Sequence, residues 1–357
     1  MNRTDDIIID LLRLYLWGGE ARRDQFTDIS PAQWKELFNI ASRQGILALT
    51  YDAVCRLPKE CLPPRRIQMS WIYNIDRIEQ TYRIQKLAAK NLIELLEPYG
   101  IKVMLLKGIG LSFCYRKPEH RECGDIDIWL YGRQKEADEI INGKTGIEIY
   151  RNNPHHSTFT LYGVSIENHS TFIDLQARQH RELEAFLQKT AENETRTITL
   201  DGKTAYVPSP TFNAVYLLRH MAVHFAAVNI GLRHLADWVL FVSRDGDEVD
   251  WATVRKISER QGMTPFVDAV NAIAVDKLGL KADFPHFLGK RDEKIEKRIL
   301  DDILHPRYRN MRGETFVSDI LLRINRRFGN SWKHKLVYRD GFIPMLLNSA
   351  VSALRHM

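Results

Sequence analysis

Asp125 and Asp127 stand two apart in "GDIDIWLY", inside a run otherwise apolar enough for a buried strand. Alternate side chains of a strand share a face. The two carboxylates therefore point the same way, roughly 7 Å apart by strand spacing, while Ile126 and Ile128 turn towards a core on the other face. Carboxylates this close repel and raise each other's pKa unless a cation sits between them. Hard oxygen donors favour Mg²⁺ or Mn²⁺. The pair reads as half of a divalent-metal site on a sheet face. The competing reading is an edge strand with a solvated polar face.

Upstream, an apolar run ends in Lys107-Gly108, with a gap before the aspartates long enough for a helix and a loop. Gly108 and Gly110 could let backbone N–H groups approach a phosphate. Lys107 would sit at a strand's C-terminal end, against the alternative of a solvated lysine before a turn. Arg121, four residues before Asp125, could reach phosphate or pair with Glu119 or Glu122 in its loop. His155 and His156 follow Pro154 at a strand start and read as structural. "HMAVH" places His220 and His224 one helical turn apart, but Met221 stands where a zincin would need Glu. Arg233 and Asp237, spaced i,i+4, read as an intrahelical ion pair.

The elements that must position these residues fall into three stretches. The first is helical. "TDDIIIDLLRLYLW" opens on a capping residue and early acids. "SPAQWKELFNIASRQG" has Ser30 as N-cap, Pro31 in its first turn and Gly45 as its stop. A long helix runs from about Arg65 to Leu96. After Gly100 the texture changes to "IKVMLL" as a strand, "GIGLSFCY" as a short helix, "GDIDIWLY" as a strand and "QKEADEIINGK" as a helix. "GIEIY", "STFTLYG" and "VSIENHSTFIDL" read as strands, and "TRTITLDGKTAYVP" as a hairpin around Asp201-Gly202. Helical periodicity restarts near Ser209 and continues.

The pieces "LLKG" (Leu105 to Gly108), "RECGDID" (Arg121 to Asp127) and "IENH" (Ile166 to His169), with "LLRHMAVH" and "GLRHLADWVLF" downstream, resemble the uncharacterised bacterial nucleotidyltransferases of the DNA polymerase β-like nucleotidyltransferase superfamily. The resemblance covers most of the chain. It implies an α+β fold: a small mixed-sheet core at 98–207, flanked by helical regions at 1–97 and 208–357. It implies Mg²⁺- or Mn²⁺-dependent transfer of a nucleoside monophosphate from an NTP such as ATP to an acceptor, which could be a small molecule, a protein side chain or an RNA end. Asp125, Asp127 and a third carboxylate would hold the metal. Glu167 matches the family's strand most closely, and Asp174 in "TFIDL" is its competitor. Lys107, Gly108, Gly110, Arg121 and Gly124 would hold the nucleotide, with His169, Arg233 and Asp237 as further contacts. One departure stands out: the wider superfamily prefers Gly-Gly or Gly-Ser at the turn, and here it is Gly108-Ile109. A nucleotide-holding module without turnover is therefore the alternative.

Composition is that of an ordinary globular protein, 44% hydrophobic and 27% charged over 357 residues, enough for an ample core in two or three packed units. A net charge of +6 suits an anionic small ligand without implying nucleic acid. Between Arg307 and Arg339, nine basic residues face two acids with Tyr308, Phe328 and Trp332 interleaved, a candidate nucleic-acid surface and, more commonly, a solvated helix face. Cys55, Cys61, Cys114 and Cys123 form no C-x-x-C pair and read as reduced thiols of a cytoplasmic protein. Neither a secretory leader nor a membrane span is expected.

Overall fold

The computed structural model describes residues 2–19, 23–175, 178–307 and 325–339. Helix α1 (Arg3–Trp17) begins slightly earlier than its apolar run, because Asn2 and Asp5 cap each other's backbone N–H groups. A short α2 (Arg23–Phe26) precedes α3 (Pro31–Arg43), where Ser30 and Gln33 form the same reciprocal cap. Then come α4 (Leu47–Val54) and the 32-residue α5 (Arg65–Leu96).

The sheet begins with β1 (Met104–Leu105), followed by α6 (Lys107–Ser112), β2 (Asp125–Trp129) and α7 (Gln134–Thr145). Strands β3 (His156–Leu161) and β4 (Val164–His169) form a hairpin, α8 (Arg178–Asn193) follows, and β5 (Thr195–Leu200) and β6 (Lys203–Pro208) form the hairpin around Asp201-Gly202. Helices α9 (Pro210–Ala227), α10 (Leu232–Asp245), α11 (Trp251–Gln261), α12 (Thr264–Asp276), α13 (Glu293–Leu304) and α14 (Ser331–Val337) complete the described chain. The fold is α+β.

The six strands lie in the order β3-β4-β2-β1-β6-β5. The sheet is mixed: β2 runs parallel to β4 and β1 to β6, and the other pairings are antiparallel. Strand β2 is thus interior, which removes the edge-strand reading of its aspartates. Its apolar face carries Ile126 and Ile128, which join Ile166 and Phe159 in a core with residues of α5 and α7, Leu92, Ile93, Ala137 and Ile141 among them. The opposite face lies under the C-terminal helices: Trp129 packs on Phe172, which packs in turn on Phe212 and Tyr216 of α9. That second core runs continuously from Ile7 of α1 to Val337 of α14, so the two helical regions share it.

Three expectations need correction. "GIEIY" is not a strand. It contributes one bridge, Tyr150 to Thr158, and its isoleucines pack only partly buried on the core. Strand β4 stops at His169 instead of continuing through "STFIDL", because the backbone N–H groups of Phe172 and Ile173 bond the buried Glu184 carboxylate of α8 rather than a neighbouring strand. Helix α8 itself has no counterpart in the sequence reading. Most of the basic segment, residues 308–324, lies outside the described residues. Where it resumes, Lys333 is buried, pairs with Asp302 at 2.5 Å and sits over the Phe225 ring, so it offers no charge to a surface. All four cysteines are unpaired. No helix among the described residues is long and apolar enough to cross a membrane.

Candidate active site

Parallel pairing of β2 with β4 sets Asp127 beside Glu167 in register. Directly paired residues of a sheet project to one face, and Asp125 shares it two residues earlier. One carboxylate oxygen from each of Asp125, Asp127 and Glu167 lies within 4.8 Å of the others. Lys107 extends from the end of β1, and its ammonium donates to Asp127 Oδ1 at 2.8 Å. The Nε2 of His169 bonds the same oxygen at 3.0 Å. Lys107 and the three carboxylates floor a cavity of about 380 Å³.

The opposite wall comes from the C-terminal helices. Leu217, His220, Met221 and His224 line the cavity from α9 at the i, i+3, i+4, i+7 spacing of one helix face. From α10 come Arg233, His234, Asp237 and Trp238. A wider cavity of about 520 Å³ adjoins, sharing Cys123, Arg233 and His234 and reaching Arg43, Gly45, Gly124 and Asn229.

The electrostatics divide the cleft. Burial disfavours the Asp127 carboxylate, yet His169 and Lys107 outweigh that and hold its pKa well below the usual range. Burial and the Asp127 charge push Asp125 up, with Glu167 adding to them and Lys107 only partly offsetting. The hydrogen bond from His169 lowers Glu167 against its burial. His169 is disfavoured by burial, but Asp127 and Glu167 raise it to about 9. On the far wall, Arg233 and Asp237 of α10 are charged and the histidines are not. Burial first, then the cationic Lys107 and neighbouring imidazoles, drives His220 well down; His224 is lowered too, and burial with Arg233 takes His234 to about 3. All three are neutral imidazoles at neutral pH.

Three carboxylates face one ammonium, Lys107, and one imidazole, His169, which leaves an excess of negative charge at the floor. An all-oxygen trio with that excess fits Mg²⁺ or Mn²⁺.

The remaining site residues fall into place unevenly. Gly108 lines the cavity in a backbone conformation (φ +38°) that side chains rarely adopt, and a Cβ there would meet Cys123 Sγ at 2.9 Å. Gly110 lies in α6, where a Cβ would come within 2.4 Å of the Leu105 carbonyl oxygen. It serves close packing of α6 on β1 and is not among the residues lining the cavity. Gly124 faces the adjoining cavity with open space around it. Asp174 is exposed beyond the end of β4, 3.5 Å from His155, and is not part of the carboxylate trio. Arg121 pairs neither with Glu119 nor with Glu122. Its guanidinium forks onto both oxygens of Asp237 at 2.8 and 2.9 Å, with the Tyr115 hydroxyl donating to the same carboxylate at 2.6 Å. The expected Arg233–Asp237 pair is thereby displaced, and Arg233 donates to the Glu122 carbonyl oxygen at 2.9 Å. The sequence reading undervalued His220, His224 and His234, which line the cavity. For the α9 histidines the signal was there, since the spacing of "LLRHMAVH" matches that helix's cavity face.

The chain is similar to a solved antigenic nucleotidyltransferase-like protein from Paracoccidioides brasiliensis, at 13% identity and a TM-score of 0.37, over 58% of this chain and 95% of that one. Comparison with curated proteins finds no match. The family model described as uncharacterised nucleotidyltransferase matches residues 30–279, a span that holds the sheet, the carboxylate trio and both helices of the opposite wall. That span exceeds two thirds of the 357 residues, and the chain belongs to the uncharacterised nucleotidyltransferase family.

Proposed function

We propose that the protein transfers a nucleoside monophosphate from an NTP to a hydroxyl-type acceptor in a Mg²⁺-dependent reaction that releases pyrophosphate. The observation that carries the reading is the convergence of Asp125, Asp127 and Glu167 beside Lys107 at the floor of one cleft. The acceptor oxygen would form a bond to the α-phosphorus as the bond to the bridging oxygen breaks, and the hydroxyl proton would pass to a carboxylate, for which Glu167 is the candidate. Asp125, Asp127 and Glu167 would hold the divalent ion. When bound, such an ion neutralises phosphate oxygens and lowers the pKa of an attacking hydroxyl.

The chain's own groups supply the rest. Lys107 is placed to donate to the departing phosphates as their charge grows. The positive φ of Gly108 opens its backbone to them without a side chain in the way. Arg233 and Gly124 would receive the outer part of the donor in the adjoining cavity, and Arg121 acts by holding Asp237. The neutral imidazoles of α9, with Leu217 and Met221, offer an uncharged surface to the base or to the acceptor. A location in the cytoplasm, where NTPs are abundant, is part of this proposal.

Thermal melting with ATP, GTP, CTP and UTP, with and without Mg²⁺, tests it on wild type and Asp127→Asn. A ligand at 100 times its Kd adds about 2.7 kcal/mol, and each kcal/mol is worth roughly 2–4 °C for domains of this size. A Mg²⁺-dependent rise with one nucleotide, lost in the variant, is expected, and no rise with any nucleotide would sink the reading. The Gly108-Ile109 turn, where relatives of the wider superfamily carry Gly-Gly or Gly-Ser, favours a second reading as a nucleotide-holding module. A nucleotide-dependent rise without pyrophosphate release under any acceptor would select it.

A further inference from the structure

Glu167 has a second set of neighbours. Strand β3 runs antiparallel to β4, pairing His156 with His169 and Thr158 with Glu167. Paired residues share a face, and His169 lies two residues from Glu167, so both imidazoles stand on the carboxylate's side of the sheet. His156 Nε2 is 3.8 Å from Glu167 Oε1, and His169 Nε2 is 3.5 Å from Glu167 Oε2. The two rings are 5.1 Å apart between centroids. One ligand atom from each of the three falls within 4.8 Å of the others. An ion bound at about 2 Å holds its ligand atoms no more than about 4 Å apart, so small side-chain rotations close the set. His169 and His156 side chains are only 10% and 16% exposed, which shields the position from bulk water.

We propose that His156, Glu167 and His169 form a second cation position, selective for an ion that takes imidazole ligands, such as Zn²⁺, Co²⁺ or Ni²⁺, and sharing Glu167 with the oxygen trio. Imidazole donors suit these ions, whereas Mg²⁺ takes oxygen. Three protein ligands leave coordination positions open for water or a substrate oxygen, the arrangement of reactive rather than structural metal sites. His169 Nε2 now bonds Asp127 Oδ1, so loading the position exchanges that contact for the ion. The sharing of Glu167 gives the sheet face two unlike positions, one of hard oxygens and one rich in nitrogen. This position stands apart from the nucleotidyl-transfer reading, because a cation held by two imidazoles needs no nucleotide.

The experiment is a Co²⁺ titration of the full chain, read by the visible d–d spectrum, with Zn²⁺ competition and equilibrium dialysis for stoichiometry. Wild type should give a band characteristic of imidazole ligation, bleached by Zn²⁺ and resistant to excess Mg²⁺. Replacing a group that merely orients a metal ligand costs 10–100-fold in affinity. His156→Ala removes a ligand itself, so its Co²⁺ affinity should fall at least about tenfold, while its circular dichroism and Mg²⁺-dependent nucleotide shift persist. Asp125→Asn should do the reverse, losing the nucleotide shift and keeping the band. Absence of Co²⁺ uptake by wild type, unchanged affinity in His156→Ala, or a band that depends on Asp125 instead of His156 would each overturn the proposal.

Discussion

Asp125 is the residue at which the demands of folding and of the proposed metal site diverge. Its carboxylate is half-buried, beside Asp127 and within reach of Glu167, and its pKa is raised by burial and by those two charges. Without a divalent ion, its charge is expected to weigh against folding. Asp125→Asn should therefore melt higher than wild type in chelator, by about 0.5–2 kcal/mol, the usual return from relieving one unfavourable charge. It should also lose any Mg²⁺-dependent nucleotide shift. A variant that melts lower in chelator would show that Asp125 is already compensated by Lys107. At this scale the sequence was informative. The alternation of Asp125, Ile126, Asp127 and Ile128 named both the carboxylate face and the core face, because strand periodicity is a local property. His156 and His234 were not legible, since a histidine becomes a ligand or a cavity wall only through what a distant strand or helix brings to it.

At the scale of elements, two contacts fix the parts of the cleft. The first is the buried fork of Arg121 on Asp237, which ties the loop before β2 to α10. Both side chains are at least nine-tenths buried. Removing one partner of such a pair leaves an uncompensated buried charge and costs about 3–5 kcal/mol. Asp237→Ala should lower the urea midpoint accordingly, and a loss under 1 kcal/mol would mean that the fork is hydrated. The second is Gly110, which lets α6 press on β1. Gly110→Ala brings its methyl against the Leu105 carbonyl, and overpacking of this kind costs about 1–3 kcal/mol, measurable by denaturant unfolding. Neither contact follows from helical spacing. The i,i+4 separation of Arg233 and Asp237 pointed to a local pair, but Asp237 is claimed by a residue 116 positions away.

Across the whole molecule, a buried histidine joins the N-terminal helices to the sheet. His120 Nδ1 contacts Asp52 of α4 at 2.7 Å, and Nε2 contacts Glu79 of α5 at 3.2 Å. Burial disfavours the imidazolium, but Asp52 and Glu79 outweigh that and raise its pKa. Asp52 is lowered against its own burial by His120 and Lys117. A raised histidine contributes its full stabilisation below its unfolded value, about 6.5, and loses it as pH climbs through the folded value. A lowered aspartate contributes above its unfolded value, about 3.9, and loses it as pH falls through the folded one. The coupled contribution is thus greatest between about pH 4 and 6.5. His120→Gln should flatten the decline in melting temperature above pH 6.5, and an unchanged slope would assign that decline to other groups.

The amino-acid order alone determined the shared face of Asp125 and Asp127, the start of α3, the span of α5, the hairpin at Asp201-Gly202 and the helical character of the described stretches before β1 and after β6, because each depends on a local period or a cap within a few residues. Tertiary structure decided what those pieces enclose. It placed β2 inside the sheet rather than at its edge, set Glu167 and not Asp174 beside Asp127 through the register of β4, gave Asp237 to Arg121, and turned the histidines of α9 and α10 towards three carboxylates. These outcomes rest on strand pairing and on burial shared between distant segments, which no window of neighbouring residues contains.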